Sequence, residues 1–239
     1  MPFADRLVLI HGFTGAPSSW DRVRAHLPVG LETTTPTLPG HCDTPGPRGL
    51  SDVLAVLDAA VAAVGAPATL VGYSMGGRMA LQYAFEAPEQ VAGLVLLGSN
   101  PGISAAEERA ERLRVDAERA EQIRADLDAF VTRWENLDLL RPRTSAADAL
   151  KALACTRRAH RAEGLAAAVE TLSPGALPDL WPRLPELRCP SVWVAGAEDA
   201  VYAERMQRAA RSSGGAAVIV PGAGHLLLVD APGAVARIL

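Results

Sequence analysis

The 239-residue sequence predicts an α/β domain, with a mostly parallel central sheet flanked by helices and a helical insertion. Three observations carry this. Short apolar runs of strand length recur along the chain. Segments with helical spacing lie between them. Glycine or proline bounds most of the runs. Such alternation builds βαβ units, whose parallel strands are buried on both faces.

The strand-like runs are Leu7–Ile10, Leu31–Thr37, Ala68–Gly72, Val91–Leu97, Val192–Ala195 and Ala216–Val220. Most are rich in Val, Leu, Ile or Thr, which suit a pleated, buried surface. The first helical pattern is Ser18–Leu27, opening on a serine cap. The second is Leu50–Val64, with Leu50, Val53, Leu54, Leu57 and Val61 on one face and Ser51 as N-cap. Gly76–Phe85, Glu204–Ser212 and Pro232–Leu239 follow.

Residues 103–141 break the rhythm. They contain neither Gly nor Pro, and Ile123, Leu127, Phe130, Val131 and Trp134 recur at helical spacing. A second helical stretch, about Ala146 to Leu172, is expected to break near Gly164. Pro174, Pro178, Pro182, Pro185 and Pro190 then mark a connection back to the sheet, because proline cannot continue a helix. The expected organisation is one domain: a core of 1–100 and 186–239, and a helical cap insertion over 101–185.

Composition narrows the function. Hydrophobic residues make up 49% and charged residues 21%, which suits a globular chain. Net charge is −4, so nucleic acid and anionic membranes are not expected partners. No run approaches the ~18 apolar residues of a membrane span. The first residues lack a basic stretch followed by a long apolar run. A soluble cytoplasmic protein is expected. Cys42, Cys155 and Cys189 are scattered and form no CxxC pair, so neither a disulfide framework nor a zinc site is expected. There is no Walker loop and no dinucleotide fingerprint, so no cofactor is expected. The oligomeric state is not encoded in any visible pattern, and a monomer is compatible with the sequence.

Gly72-Tyr73-Ser74-Met75-Gly76-Gly77 follows a predicted strand and opens a predicted helix. This is G-x-S-x-G in the context of a nucleophile elbow. The turn is so tight that a side chain at Gly72 or Gly76 would clash, and it lifts the Ser74 hydroxyl above the strand ends. The hydroxyl needs a histidine within reach to act at neutral pH. His225 lies just after the last strand, and Asp199 just after the one before. The order Ser74, Asp199, His225 is that of α/β-hydrolase triads. Asp199 would hold the imidazole tautomer while His225 exchanges a proton with Ser74. Glu198 is a second candidate for the acid. The backbone amides of Phe13 and Met75 are the expected oxyanion-hole donors. His11, His26 and His41 read as structural.

These motifs resemble the α/β-hydrolase superfamily across the whole chain. Within it they are most similar to the 2-succinyl-6-hydroxy-2,4-cyclohexadiene-1-carboxylate synthase family of menaquinone biosynthesis. The stretches that carry this are His11-Gly12-Phe13-Thr14-Gly15 with Trp20, Gly72 through Arg78, Asn100-Pro101-Gly102-Ile103, Glu108 through Asp116, Phe130 through Trp134, and Gly196 through Asp199. The resemblance implies a lyase whose triad removes a ring proton so that pyruvate leaves, and a small polycarboxylate substrate. By matching position it implies substrate-binding roles for Arg78, Arg112 and Arg157, with Tyr73 and Trp134 lining the pocket. Arginine suits this task because its planar fork grips a carboxylate bidentately and stays charged.

Other readings stay open. Arg112 is also placed to pair with Glu108 or Asp116 one turn away. Arg158 and Arg161 stand beside Arg157 in one basic run, and Trp134 also suits core packing. Two stretches depart from the family pattern: Ala200-Val201-Tyr202 after the acid, and the apolar Leu226–Val229 after His225. The same triad would also serve a serine hydrolase (carboxylesterase, thioesterase or C–C bond hydrolase) acting through an acyl-enzyme. A non-enzymatic binder would not need the triad in order.

Overall fold

The computed structural model describes residues 5–239, so the first four residues of the amino-terminal stretch lie outside the described part. Six strands form one parallel sheet: β1 (Arg6–Ile10), β2 (Glu32–Thr34), β3 (Ala68–Tyr73), β4 (Val91–Leu97), β5 (Ser191–Gly196) and β6 (Ala216–Val220). Their order is β2-β1-β3-β4-β5-β6, and every pairing is parallel. All six expected strands are present. The edge strand β2 is shorter than Leu31–Thr37, because Pro36 has no N–H to extend a ladder.

Strand order reverses between β1 and β3. Ile10 pairs with Gly72, so the two strands end side by side and their loops diverge. A crevice at the carboxyl ends of the strands forms at such a switch point. The loop bearing Phe13 and the turn bearing Ser74 both leave from here.

Side chains alternate across the sheet, as period-2 geometry requires. Val8, Ile10, Leu70, Leu94, Leu96 and Trp193 face α2 (Leu50–Val64), α3 (Met75–Glu86) and α8 (Ala200–Ser213). Leu7, Leu9, Val71, Val95, Leu97 and Val194 face α1 (Asp21–Arg24), α9 (Leu227–Asp230) and α10 (Pro232–Ile238). Between β4 and β5 the chain forms α4 (Ala106–Ala125), α5 (Leu127–Glu135), α6 (Ala147–Arg158) and α7 (Ala162–Thr171). Three of these have a small core of their own, built from Ala120, Ile123, Phe130, Val131, Leu165, Ala166 and Val169.

Local chemistry explains where helices start and stop. Asp126 separates α4 from α5 and accepts the Ala129 amide at 2.9 Å. Several expectations are corrected. Ser18 caps nothing: Pro17 opens a 3₁₀ turn, and the Ala16 amide donates to Ser19 Oγ at 3.0 Å. The α2 N-cap is Gly49 rather than Ser51. The break in the second helical stretch falls at residues 159–161, whereas Gly164 lies inside α7.

Gly164 is there for packing. A Cβ at Gly164 would meet the Thr44 carbonyl at 3.0 Å and the Gly40 carbonyl at 3.2 Å. Gly40 has φ +82°, and its own Cβ would run into the Gly164 carbonyl. The α7 backbone therefore lies directly on the loop after β2. The Arg161 amide donates to the Cys42 carbonyl at 3.2 Å, and the Cys42 amide to His160 Nδ1 at 2.8 Å. Gly40→Ala is expected to cost roughly 1–3 kcal/mol through left-handed strain and overlap. Urea unfolding measures this, and an unchanged midpoint would contradict the close contact.

Candidate active site

Ser74 is the N-cap of α3 and has φ 52° and ψ −112°, a conformation that a non-glycine residue adopts only under constraint. The constraint is close packing. A Cβ on Gly72 would fall 2.5 Å from the Gly77 Cα, and one on Gly76 would overlap the His11 and Ile10 carbonyls. The Ser74 amide donates to the Leu97 carbonyl at 2.8 Å, and Ser99 Oγ donates to the Ser74 carbonyl at 3.1 Å. The elbow is thus pinned from both neighbouring strands.

His225 Nε2 lies 3.3 Å from Ser74 Oγ, and His225 Nδ1 lies 2.8 Å from Asp199 Oδ2. Both His225 and Asp199 are buried. Asp199 caps α8: its Oδ1 accepts the Tyr202 amide at 3.2 Å, which leaves Oδ2 for the imidazole. Glu198 makes no such contact. Gly98, at φ +54°, gives the ring room, because a Cβ there would sit 3.0 Å from the imidazole Cε1. Asp230 holds the same loop through the Gly224 amide at 3.0 Å.

A cavity of about 320 Å³ opens above Ser74. Phe13, Tyr73, Met75, Arg78, Arg112, Trp134, Arg157 and His225 all line it. Every candidate substrate-binding side chain therefore shares one space with the serine, while the acid Asp199 is buried behind His225. Phe13 also packs against the Trp134 ring at 5.4 Å. Gly12 keeps Phe13 in place, because a Cβ there would press on the Tyr73 ring at 3.0 Å.

The arginines differ in what holds them. Arg78 Nε is shut off from water and has no partner, and Arg78 Nη2 donates to the Leu172 carbonyl at 3.3 Å. No carboxylate among the described residues lies within salt-bridge reach of Arg78. Burial, reinforced by the charge of Arg112, lowers its pKa to about 10, so it stays cationic at neutral pH. Arg157 is 5% exposed, with an unpartnered Nε and Glu135 at 3.5 Å. Burial lowers its pKa as well. Of the basic run, Arg157 faces the cavity, while Arg158 pairs with Glu135 at 3.2 Å on the outer side and Arg161 caps α7. Arg112 satisfies both readings, since it pairs with Asp116 at 2.6 Å and lines the cavity. Burial pushes the Tyr73 phenol pKa up, so it remains neutral.

Asp116, expected only as a partner of Arg112, and Arg119, not singled out in the sequence, also line the cavity. Their spacing from Arg112, at i+4 and i+7, was a visible signal of one helical face. Among the described residues, no group of three or more His, Cys, Asp or Glu is placed to hold a metal ion. No helix among them is long and apolar enough to cross a membrane.

Residues 7–238 match the model of the alpha/beta hydrolase family. The chain belongs to this family. It is 31% identical over 241 residues to a Bacillus subtilis (strain 168) protein named, provisionally, 2-succinyl-6-hydroxy-2,4-cyclohexadiene-1-carboxylate synthase, covering 96% of this chain and 86% of that one. A Salmonella agona (strain SL483) protein carries the same name outright and is 31% identical over 228 residues, covering 94% of this chain and 88% of that one. The solved structure of MenH from S. aureus superposes with a TM-score of 0.91 at 26% identity, covering 98% of this chain and 91% of that one. The central sheet and its flanking helices are those of an alpha/beta hydrolase.

Behind the Phe13 loop lies a cluster of buried histidines. His11 and His41 rings sit 4.8 Å apart, and His41 and His160 5.4 Å apart. The Leu38 amide donates to His11 Nε2 at 3.1 Å, so Nδ1 carries the proton and donates to the Gly12 carbonyl at 2.9 Å. Burial lowers the His11 pKa to about 4, lowers that of His41 well below its ordinary value, and lowers that of His160. The unfolded chain takes up these protons near pH 6.5, and the folded chain resists them. Stability is therefore full above about pH 6.5 and falls towards pH 4, at up to about 1.4 kcal/mol per pH unit per histidine. Denaturant unfolding at pH 7 and pH 5 should show the loss, and equal stability at both would contradict it.

Proposed function

We propose that this protein is a carbon–oxygen lyase. It would convert 2-succinyl-5-enolpyruvyl-6-hydroxy-3-cyclohexene-1-carboxylate to 2-succinyl-6-hydroxy-2,4-cyclohexadiene-1-carboxylate and pyruvate. One observation carries the reading: Arg78, partly buried with its Nε shut off from water and without a carboxylate partner, shares a cavity with the Ser74–His225–Asp199 chain. A buried cation without a counter-ion is costly, and a ligand carboxylate would remove that cost. A hydrolase acting on a neutral ester has no use for it.

The chemistry follows from the geometry. Ser74 Oγ takes a proton from the ring carbon as its own proton passes to His225 Nε2. The released electron pair forms a double bond between ring carbons 2 and 3, the existing 3,4 double bond moves to 4,5, and the bond from carbon 5 to the enolpyruvyl oxygen breaks. Asp199 stabilises the imidazolium through Nδ1. The leaving enolate takes a proton at carbon to become pyruvate, and the imidazolium returns the proton that the step consumed. No acyl-enzyme forms. The amides of Phe13 and Met75 are assigned to the negative charge that develops on oxygen, each such donor being worth about 2.7–4 kcal/mol of barrier. Tyr73 and Trp134 bound the ring. Arg78, Arg112 and Arg157 bind the substrate carboxylates. Residues 101–185 act as the cap that encloses the site. The substrate is a small polycarboxylate, and the reading requires no cofactor, nucleic acid or membrane.

The purified protein should release pyruvate from the enolpyruvyl precursor, followed with a coupled dehydrogenase. Ser74→Ala should lower kcat by about three orders of magnitude or more. Arg78→Ala should lower kcat/KM at least about 100-fold, because it removes a charge-assisted contact to a buried carboxylate. Rapid cleavage of short acyl nitrophenyl esters without any pyruvate release would reject the lyase and favour the serine hydrolase.

A further inference from the structure

We propose that Asp116 is a positioning residue that presents Arg112 and Arg119 to the cavity, and that Arg119 is a further carboxylate-binding group of this site. The proposal rests on the reading of the cavity as a polycarboxylate pocket.

Asp116 stands in the middle of α4, with its side chain 1% exposed. Its Oδ2 accepts Arg112 Nε at 2.6 Å and its Oδ1 accepts Arg119 Nη1 at 2.7 Å. Each oxygen thus holds one guanidinium, and the three side chains lie on one helical face. Elsewhere on this helix, Arg114 pairs with Glu111 at 2.6 Å, with both side chains more than half exposed. Such exposed pairs suffice to support a helix. Burying a carboxylate is costly and needs a separate reason.

The reason lies in the cavity. Arg78, Arg112, Arg119 and Arg157 all line it, with Asp116 as the lining carboxylate that holds two of them. Without Asp116 between them, two cations two turns apart on one helical face would repel each other and swing towards solvent. With it, each spends a single N–H on the clamp. Arg119 keeps its remaining donors free of other partners among the described residues, and its guanidinium lies over the Trp134 ring at 5.3 Å. A fork fixed at one corner and laid against an aromatic face loses little freedom on binding. Arg78 is close enough to Arg112 for the two charges to interact. The elbow helix and α4 thus bring several guanidiniums to one cavity, suited to an anion with two carboxylates.

The test uses phthalate as a compact dicarboxylate probe, titrated by calorimetry against wild type, Asp116→Asn, Arg119→Gln and the double variant. Circular dichroism and Tm serve as fold controls. We expect Kd to rise about tenfold or more in each single variant, the loss of one charge-assisted contact. Arg119→Gln should cost less in the Asp116→Asn background than alone, since Asp116 acts partly through Arg119. Arg119 is 25% exposed, so Arg119→Gln carries the test if Asp116→Asn does not fold. In the pyruvate assay KM should rise while kcat falls less than about threefold. No phthalate binding by wild type, an unchanged Kd in a folded single variant, or fully multiplicative effects would overturn the proposal. Absence of pyruvate with phthalate binding and the expected Kd shifts would instead reject the lyase reading and leave the clamp standing.

Discussion

The structure depends on one strained residue. Ser74 is held at positive φ between the end of β3 and the start of α3. That conformation survives because the surroundings leave no alternative. Gly72 and Gly77 touch backbone to backbone, Gly76 lies on the carbonyls of β1, and the Ser74 amide is bonded to the end of β4. Three adjacent strands thus act together to aim one hydroxyl. The cost, of order 1–3 kcal/mol, is spread over a core that includes fully buried Leu70, Leu94 and Trp193. The reward is a hydroxyl already within 3.3 Å of the imidazole, with no ordering left to do.

Around that point the fold separates two tasks. The sheet supplies rigid positions: Asp199 after β5, His225 after β6, and the Phe13 loop after β1. The segment between β4 and β5 supplies charge. Arg112, Asp116, Arg119 and Arg157 all come from α4 and α6, while Arg78 reaches up from the elbow helix. In the proposed lyase, reaction chemistry and substrate recognition would therefore sit on different layers. Arg78, partly buried with an unpartnered Nε shut off from water, lies where the layers meet.

The joint between the layers is narrow. Gly40 and Gly164 allow backbone to lie on backbone, and the ring chain His11–His41–His160 runs from the Phe13 loop to the turn before α7. These rings are neutral and tightly packed, and His11 in turn fixes the Gly12 carbonyl. The joint and the Phe13 loop thus share the same buried side chains, which couples the placement of the helices to the shape of the site.

The sequence alone determined the six strands, the elbow, and the chain order of serine, acid and histidine. These are local facts: apolar runs, glycines that only a tight turn requires, and loops that must follow strand ends. It also singled out Arg78, Arg112 and Arg157, through resemblance rather than through spacing. It misplaced the Ser18 and Ser51 caps and the break near Gly164. Pro17 and Gly49 start those helices, and Gly164 is demanded by a neighbour more than a hundred residues earlier in the chain. Only the tertiary structure decided between Asp199 and Glu198, chose Arg157 over Arg158 and Arg161, and revealed Asp116 and Arg119 as cavity residues. Those choices depend on which face of a helix or loop turns inward. Packing against distant segments sets that face, and no local pattern of residues records it.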